Sequence, residues 1–335
     1  MRDASEPQTF TVVIPYYQRE AGLLSEALES VFCQTVIRDA TQLRVVVVDD
    51  HSPRDPQLDI ELITVPVSVT VEILKTPENG GPAAARNFGL EAVNPDCGLV
   101  AFLDSDEVWS PVHLGNARKA IDGSSAGVYF ANYRRREWKR DKFSTIGFGE
   151  GHTPICSRDD LFSFVGSPLA EILLNATVRI QTCVVRWADL DTLRFREDLK
   201  IGEDSAYVAD AVALYDCTLA FSSQVETEAR RQGVNVSQNL DNDVLKELNI
   251  RLEMLRYQRF VVDNYNGCSD VSKASVSALN EARYNYSRAL KRRRPGMKAL
   301  LLSIGQACRT DHGIVAWAFC QVFKIVNAKF TSASR

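Results

Sequence analysis

The segment Val100-Ala-Phe-Leu-Asp-Ser-Asp106 places two carboxylates one residue apart, directly behind four apolar residues. An apolar run of this length reads as a buried strand, so the aspartates stand where the strand meets water. Two carboxylates on one short turn repel each other unless a cation lies between them. They are hard oxygen ligands suited to Mg²⁺ or Mn²⁺, ions that keep coordination positions for substrate phosphates. The competing reading is a strand followed by an Asx turn, because Asp and Ser are common turn residues. Other polar groups recur in similar places: Pro15-Tyr16-Tyr17 behind residues 10–14, Asp49-Asp50 behind residues 43–48, and Glu203-Asp204 at the start of a helix reaching about Leu214. Acids in a first helical turn also complement the helix dipole, so the last pair does not by itself demand chemistry.

The elements that would position these groups follow from hydrophobic spacing. Residues 10–14 form a β-branched run stopped by Pro15, and residues 21–32 carry Leu23, Leu24, Ala27, Leu28, Val31 and Phe32 on one helical face. Residues 43–48 are nearly all apolar, as a parallel strand covered on both faces requires. Residues 67–74 alternate as a third strand, and residues 99–103 form a fourth. Residues 82–93 read as a helix with proline at its start, where the missing N–H costs nothing. Alternating strands and helices imply an α/β fold with an open, mostly parallel sheet flanked by helices. Ligands of such sheets collect outside the carboxyl ends of the strands. Pro15-Tyr16-Tyr17, Asp49-Asp50 and Asp104-Ser105-Asp106 all fall at such ends. Residues 128–133 and 180–186 read as further strands, the first followed by the basic run 134–140. Beyond about Val236 the chain turns charged and helical, over residues 239–263, 274–290 and an amphipathic stretch 297–330. The expected organisation is therefore a catalytic domain over 1–236 and a helical C-terminal region over 237–335.

Composition narrows the function classes. The chain has 335 residues, 45% hydrophobic and 24% charged, with net charge −4, so no basic field calls for nucleic acid. The eight cysteines form no C-x-x-C pair and fit reduced thiols of a cytoplasmic protein. The four histidines lack zinc spacing. Residues 1–8 are polar and acidic, unlike a signal peptide, and no apolar stretch is long enough for a membrane span.

Six strings occur in one order: Val12-Val-Ile-Pro-Tyr-Tyr17, Ser30-Val-Phe-Cys-Gln-Thr35, Val47-Val-Asp-Asp-His-Ser52, Asn79-Gly-Gly-Pro-Ala-Ala-Ala-Arg-Asn-Phe-Gly89, Phe102-Leu-Asp-Ser-Asp106 and Gly202-Glu-Asp204. Over roughly residues 8–230 this resembles the family 2 glycosyltransferases of the GT-A nucleotide-sugar-binding fold, with a tone similar to bacterial exopolysaccharide glucosyltransferases of the succinoglycan type. The resemblance implies an inverting, metal-dependent transfer of a sugar, glucose by the narrower likeness, from a UDP-sugar to a hydroxyl of a glycan or lipid-linked saccharide. It implies that Pro15, Tyr16 and Tyr17 hold the nucleoside with Glu20 just beyond, the alternative being that the tyrosines only pack. It assigns Asp50 to the uracil N–H, Gly81 to a backbone that approaches the ligand, and Arg86 to the diphosphate, the alternative being a structural salt bridge. Asn87 is expected to hold the helix in place. Asp104-Ser105-Asp106 matches the D-x-D element, with Asp106 as direct ligand of Mn²⁺ or Mg²⁺ and Asp104 on the ribose or on the metal through water. Asp204 matches the general base, and Glu203 orients it or touches the acceptor.

The chain also departs from the family pattern. Ile201-Gly202 stands where many relatives carry tryptophan, and a histidine metal ligand found in some relatives is absent. Trp109 is open to packing or to sugar stacking. Arg230 and Arg231 fall where relatives carry a mobile loop and are candidate diphosphate contacts. Lys291-Arg-Arg-Arg294 and the stretch to residue 330 could lie on an anionic inner membrane face, pack as a helical lobe, or mediate a homodimer. The competing functions are a nucleotidyltransferase, which would carry a Gly-rich loop with lysine after the first strand, and an inactive nucleotide-sugar-binding scaffold.

Overall fold

Branched apolar residues make the centre of the sheet. The computed structural model describes residues 9–39, 42–156, 160–229, 244–293 and 297–314. Among these, ten strands form one sheet: β1 (Phe10–Tyr16), β2 (Leu43–Asp49), β3 (Val69–Lys75), β4 (Leu99–Phe102), β5 (Glu107–Trp109), β6 (Val128–Arg135), β7 (Thr153–Cys156), β8 (Leu161–Ser163), β9 (Cys183–Arg186) and β10 (Leu219–Ala229). The helices of this part are α1 (Leu23–Phe32), α2 (Gln57–Ile60), α3 (Pro82–Glu91), α4 (His113–Ser124), α5 (Lys142–Ile146), α6 (Leu169–Asn175), α7 (Trp187–Leu190) and α8 (Glu203–Tyr215). Two compact units divide the chain, Met1–Asn235 and Val236–Arg335.

The sheet runs β3-β2-β1-β4-β9-β6-β10-β8-β7, with β5 on the outer half of β10. The first four strands are parallel, and β1, β2 and β4 carry the mostly apolar runs of strands covered on both faces, while the edge strand β3 is only partly buried. Beyond them β9 lies antiparallel between β4 and β6, and β6 is again parallel to β10. Val12, Ile14, Val45 and Val47 join Leu24, Leu28, Ala117 and Ile121 in one core. On the other face α3 lies close against β1 and β2. A Cβ on its Gly89 would come within 2.6 Å of Val13 Cγ1 and 3.1 Å of Val48 Cγ2, so only glycine permits this approach.

Pro15 does not stop β1, which continues to Tyr16 in register with Asp49. The reason is which neighbour each residue faces. Tyr16 O accepts from Asp50 N on the β2 side, while Val13 O accepts from Leu103 N on the β4 side. Peptide directions alternate, so the N–H that Pro15 lacks would point toward β4, beyond the end of that strand. The third strand falls at 69–75 rather than 67–74. Of the expected strand 180–186, residues Ile180–Thr182 form a 3₁₀ turn and only Cys183–Arg186 pair.

The second unit contains α9 (Val244–Tyr265), α10 (Ser269–Arg293) and α11 (Met297–Thr310). Leu252, Leu255, Leu279, Tyr286, Ala307 and Ile314 form its core. Arg283 holds the buried Asp311 carboxylate with two hydrogen bonds. Burial alone would raise the pKa of Asp311, but this pairing outweighs it and lowers it. No helix among the described residues is long and apolar enough to cross a membrane. Arg230, Arg231, Arg294 and residues 315–330 lie outside the described residues.

Candidate active site

The parallel register brings the ends of β1, β2 and β4 to one edge. Gln18 then joins the three loops that leave them. Its backbone N–H donates to Ser52 Oγ at 2.8 Å, its carbonyl accepts from the same hydroxyl at 2.9 Å, and its Nε2 donates to Ser105 Oγ at 2.9 Å. Ser105 is therefore turned into the protein, while Asp104 and Asp106 on either side remain half-buried. Tyr16 is fully buried, and burial pushes its hydroxyl up to about 12. It packs in the core. Pro15 and Tyr17 are half-buried at the edge, and Glu20 is exposed. Trp109 also packs: it is buried and donates Nε1–H to Gln181 O at 2.7 Å.

Asp49 makes the Asx turn, accepting from Ser52 N at 2.7 Å. Asp50 organises the next loop. Its buried carboxylate accepts from Thr76 Oγ1 at 3.1 Å, Gly80 N at 2.9 Å and Gly81 N at 2.8 Å. An ionised carboxylate has about four lone-pair sites, so roughly one stays open. Gly81 adopts φ 85° and ψ 179°, a conformation open to glycine alone. Gly81→Ala should cost about 1–3 kcal/mol of stability and weaken nucleotide binding, which denaturant melts and titration would measure.

Arg86, in the second turn of α3, is buried with 3% exposure. One guanidinium nitrogen meets Asp104 Oδ1 at 2.7 Å; the other lies 3.4 Å from both Glu203 Oε1 and Asp204 Oδ1. Its Cζ also lies 5.4 Å from the centroid of the Phe195 ring. Asn87 clamps this segment, donating to Phe195 O at 2.9 Å and accepting from Phe195 N at 2.7 Å. Thus Arg86 gathers the acids of two strings 100 residues apart in the chain. The other oxygen of Asp204 accepts from Ile180 N at 3.4 Å.

Glu203 and Asp204 occupy the first turn of α8 behind Gly202. Burial, and then the Asp204 charge, push the Glu203 carboxyl up to about 8 against the pull of Arg86. Its folded-state pKa thus stands above the ordinary 4.5, so the folded chain binds the extra proton between about 4.5 and 8. The corresponding stability is complete below that window and is lost as pH rises through it. Glu203→Gln should accordingly flatten the fall of melting temperature between mildly acidic and mildly alkaline pH.

Burial, and then the Asp104 charge, push Asp106 up to about 7. Glu107, buried at the start of β5, is pushed well above the carboxylate range by burial and then by Asp104 and Asp106. Its Oε2 has no hydrogen-bond partner among the described residues. These acids fit a divalent cation, whose charge would relieve their repulsion. Among the described residues no group of three ligating side chains surrounds one point. An ion on Asp104 and Asp106 would thus retain positions for phosphate oxygens. Gln18 and Glu107 are parts of the site that the sequence reading passes over. The only signal either carries is adjacency, to Pro15-Tyr16-Tyr17 and to Asp106.

Residues 11–168 match the glycosyl transferase family 2 model. The succinoglycan biosynthesis protein ExoW of Rhizobium meliloti is 33% identical over 239 residues, covering 70% of this chain and 72% of ExoW. Staphylococcus aureus TarS 1–349, solved with UDP-GlcNAc, superposes with TM-score 0.52 at 18% identity over 92% of this chain and 90% of TarS 1–349. The mannosyltransferase PcManGT of Pyrobaculum calidifontis, solved with GDP-Man and Mn²⁺, gives TM-score 0.56 at 18% identity over 97% of this chain and 87% of PcManGT. At these identities the two structures share the fold. The D-x-D turn, the acidic pair and the ExoW likeness lead to one conclusion: this chain belongs to glycosyl transferase family 2, has the GT-A fold, and is a glycosyltransferase.

Proposed function

We propose that the chain transfers a sugar, with glucose the expected one, from a UDP-sugar to a hydroxyl of a glycan or lipid-linked saccharide in exopolysaccharide synthesis, with inversion at the sugar carbon. The observation that carries this reading is the Arg86 knot. One buried guanidinium spans Asp104 of the D-x-D turn and both acids of the Glu203-Asp204 pair, which supports a reading in which donor and acceptor groups meet there. The likeness to ExoW supports the exopolysaccharide setting.

Each residue then has a task. Asp50 accepts the uracil imide N–H at its one remaining lone-pair site. Guanine would present two adjacent donors, for which Asp50 has no room after Thr76, Gly80 and Gly81. Pro15 and Tyr17 border the nucleoside, and Gly81 lets backbone approach it. Asp104 and Asp106 hold the Mn²⁺ or Mg²⁺, which when bound supplies positive charge to the departing diphosphate. Asp204 takes the proton of the attacking acceptor hydroxyl. Glu203, its carboxyl pushed up by burial and by the Asp204 charge, stands beside the base. A single displacement with one base and no covalent intermediate inverts the anomeric centre. Arg86 positions Asp104 and Asp204.

A thermal-shift panel tests the donor. UDP-glucose with Mn²⁺ should raise the melting temperature by several degrees at a hundredfold excess over its dissociation constant, where binding adds about 2.7 kcal/mol. GDP-sugars should do much less. A shift by GDP-sugars and none by UDP compounds would rule the donor assignment out.

A further inference from the structure

The basic run 134–140 has no part in donor binding or proton transfer. Successive strand residues face opposite sides of a sheet, and Arg134 and Arg135 at the end of β6 do different things. Arg134 is neutralised by Glu228 at 3.0 Å. Arg135 instead lies over Trp138, its Cζ 5.2 Å from the ring centroid. Trp138 stands 6.2 Å from the Tyr133 ring, and Arg179 lies over Tyr133 at 5.5 Å. Arg179 Nε also meets the Tyr133 hydroxyl at 3.4 Å. The four side chains make a shelf of alternating rings and guanidiniums. Lys142, anchored to Asn175 O at 2.8 Å, contributes a third positive charge nearby.

This positive charge is only partly offset, by Glu107 and Asp204 near Arg179, by Glu137 and Glu107 near Arg135, and by Glu171 near Lys142. Among the described residues no carboxylate forms an ion pair with Arg135, Arg179 or Lys142. The pKa values of Arg135 and Lys142 are lowered, first by burial and then by the Arg179 charge. Burial disfavours the charged form of Arg135 and Lys142, and an anion among them would offset that cost.

The shelf also has a defined place in the reaction. Asp204 has Oδ1 toward Arg86 and Asp104, and Oδ2 on the N–H of Ile180, the residue after Arg179. The Asp204 charge is felt at Arg179, so one end of the shelf lies near the base. A molecule on the shelf would present its hydroxyl to Asp204.

We propose that Arg135, Trp138 and Arg179, supported by Tyr133 and flanked by Lys142, form the acceptor subsite, and that it takes an anionic saccharide. The sugar ring lies against Trp138 and the anionic group enters between the guanidiniums, whose planar forks match phosphate or carboxylate. This rests on Asp204 being the base. The test is calorimetric titration of glucose, glucose 1-phosphate and glucuronate into the full chain saturated with UDP and Mn²⁺. At least one anion should bind about tenfold more tightly than glucose, an advantage that shrinks with added salt. Whichever anion ranks higher identifies the charged group. Arg135→Ala should erase the advantage, and Trp138→Ala should weaken all three sugars. Should Arg135→Ala melt early, Arg135→Gln retains the packing stem and decides the question. Equal binding of the three sugars, no binding of either anion, or a folded Arg135 variant that keeps the preference would overturn the proposal. If UDP itself fails to bind, the donor assignment falls separately, and the same titration without nucleotide still decides the shelf.

Discussion

Asp204→Asn should cut turnover by about 10²–10⁴-fold, the usual contribution of a positioned general base, while leaving UDP affinity unchanged. Asparagine keeps the shape and still meets the Ile180 N–H, but it cannot accept a proton from an attacking hydroxyl. Removing the charge also lowers the cost of ionising Glu203, whose carboxyl Asp204 helps to push up. The variant should therefore be no less stable than wild type at alkaline pH. This separates the base from the rival role of Asp204 as a first-turn acid on α8. Such acids are worth about 0.3–1 kcal/mol of stability and have no bearing on turnover. Single-turnover rates with saturating donor, alongside UDP titration, measure both quantities. A variant that loses stability and keeps its rate would exclude Asp204 as the base.

Arg86→Met should be the most destabilising of the substitutions considered. It removes the partner of three carboxylates at once. Breaking a buried ion pair costs about 3–5 kcal/mol. The low end applies, because Asp104 keeps 30% side-chain exposure and Asp204 21% and water can reach them. About 3 kcal/mol lowers the melting temperature by roughly 6–12 °C in a unit of this size. The deficit should be greatest at alkaline pH, where the orphaned acids are ionised, and should shrink as they protonate on acidification. Arg86→Lys keeps a charge but not a fork that reaches Asp104 and the Glu203-Asp204 pair together, so it should fall between the two. A pH-independent loss would mean that Arg86 stabilises through packing on Phe195 alone.

The legible part of the fold is the part whose pattern serves one purpose. The strands β1, β2 and β4 are buried on both faces, so their apolar runs announce them and the acids behind them. The strand β10 is not legible, although it is eleven residues long. Register shifts at Ser222/Val225 and Val225/Thr227 break its alternation. Its Glu226 is buried among His113, Asn116 and Tyr129, which donate to or share protons with its carboxylate at 2.6–2.8 Å. A buried acid with three partners looks in sequence like a surface residue. The acidic pair and the D-x-D turn were each readable as chemistry or as local capping. Only the position of Arg86 joins them, and that depends on Gly89 letting α3 approach the sheet. The sequence alternative of a structural salt bridge for Arg86 describes its observed contacts with Asp104, Glu203 and Asp204. For Trp109, packing beneath the Gln181 carbonyl describes the observed contacts better than sugar stacking.

The central claim is that carboxylates from separate strings meet around one divalent cation and a nucleoside diphosphate. Anomalous diffraction at the manganese edge from crystals grown with UDP and Mn²⁺ addresses it most directly. The expected result is a single strong peak beside Asp104 and Asp106, with uracil on Asp50 and Asp204 facing the vacant sugar position. Manganese bound away from the D-x-D turn, or UDP seated elsewhere with that turn empty, would contradict it.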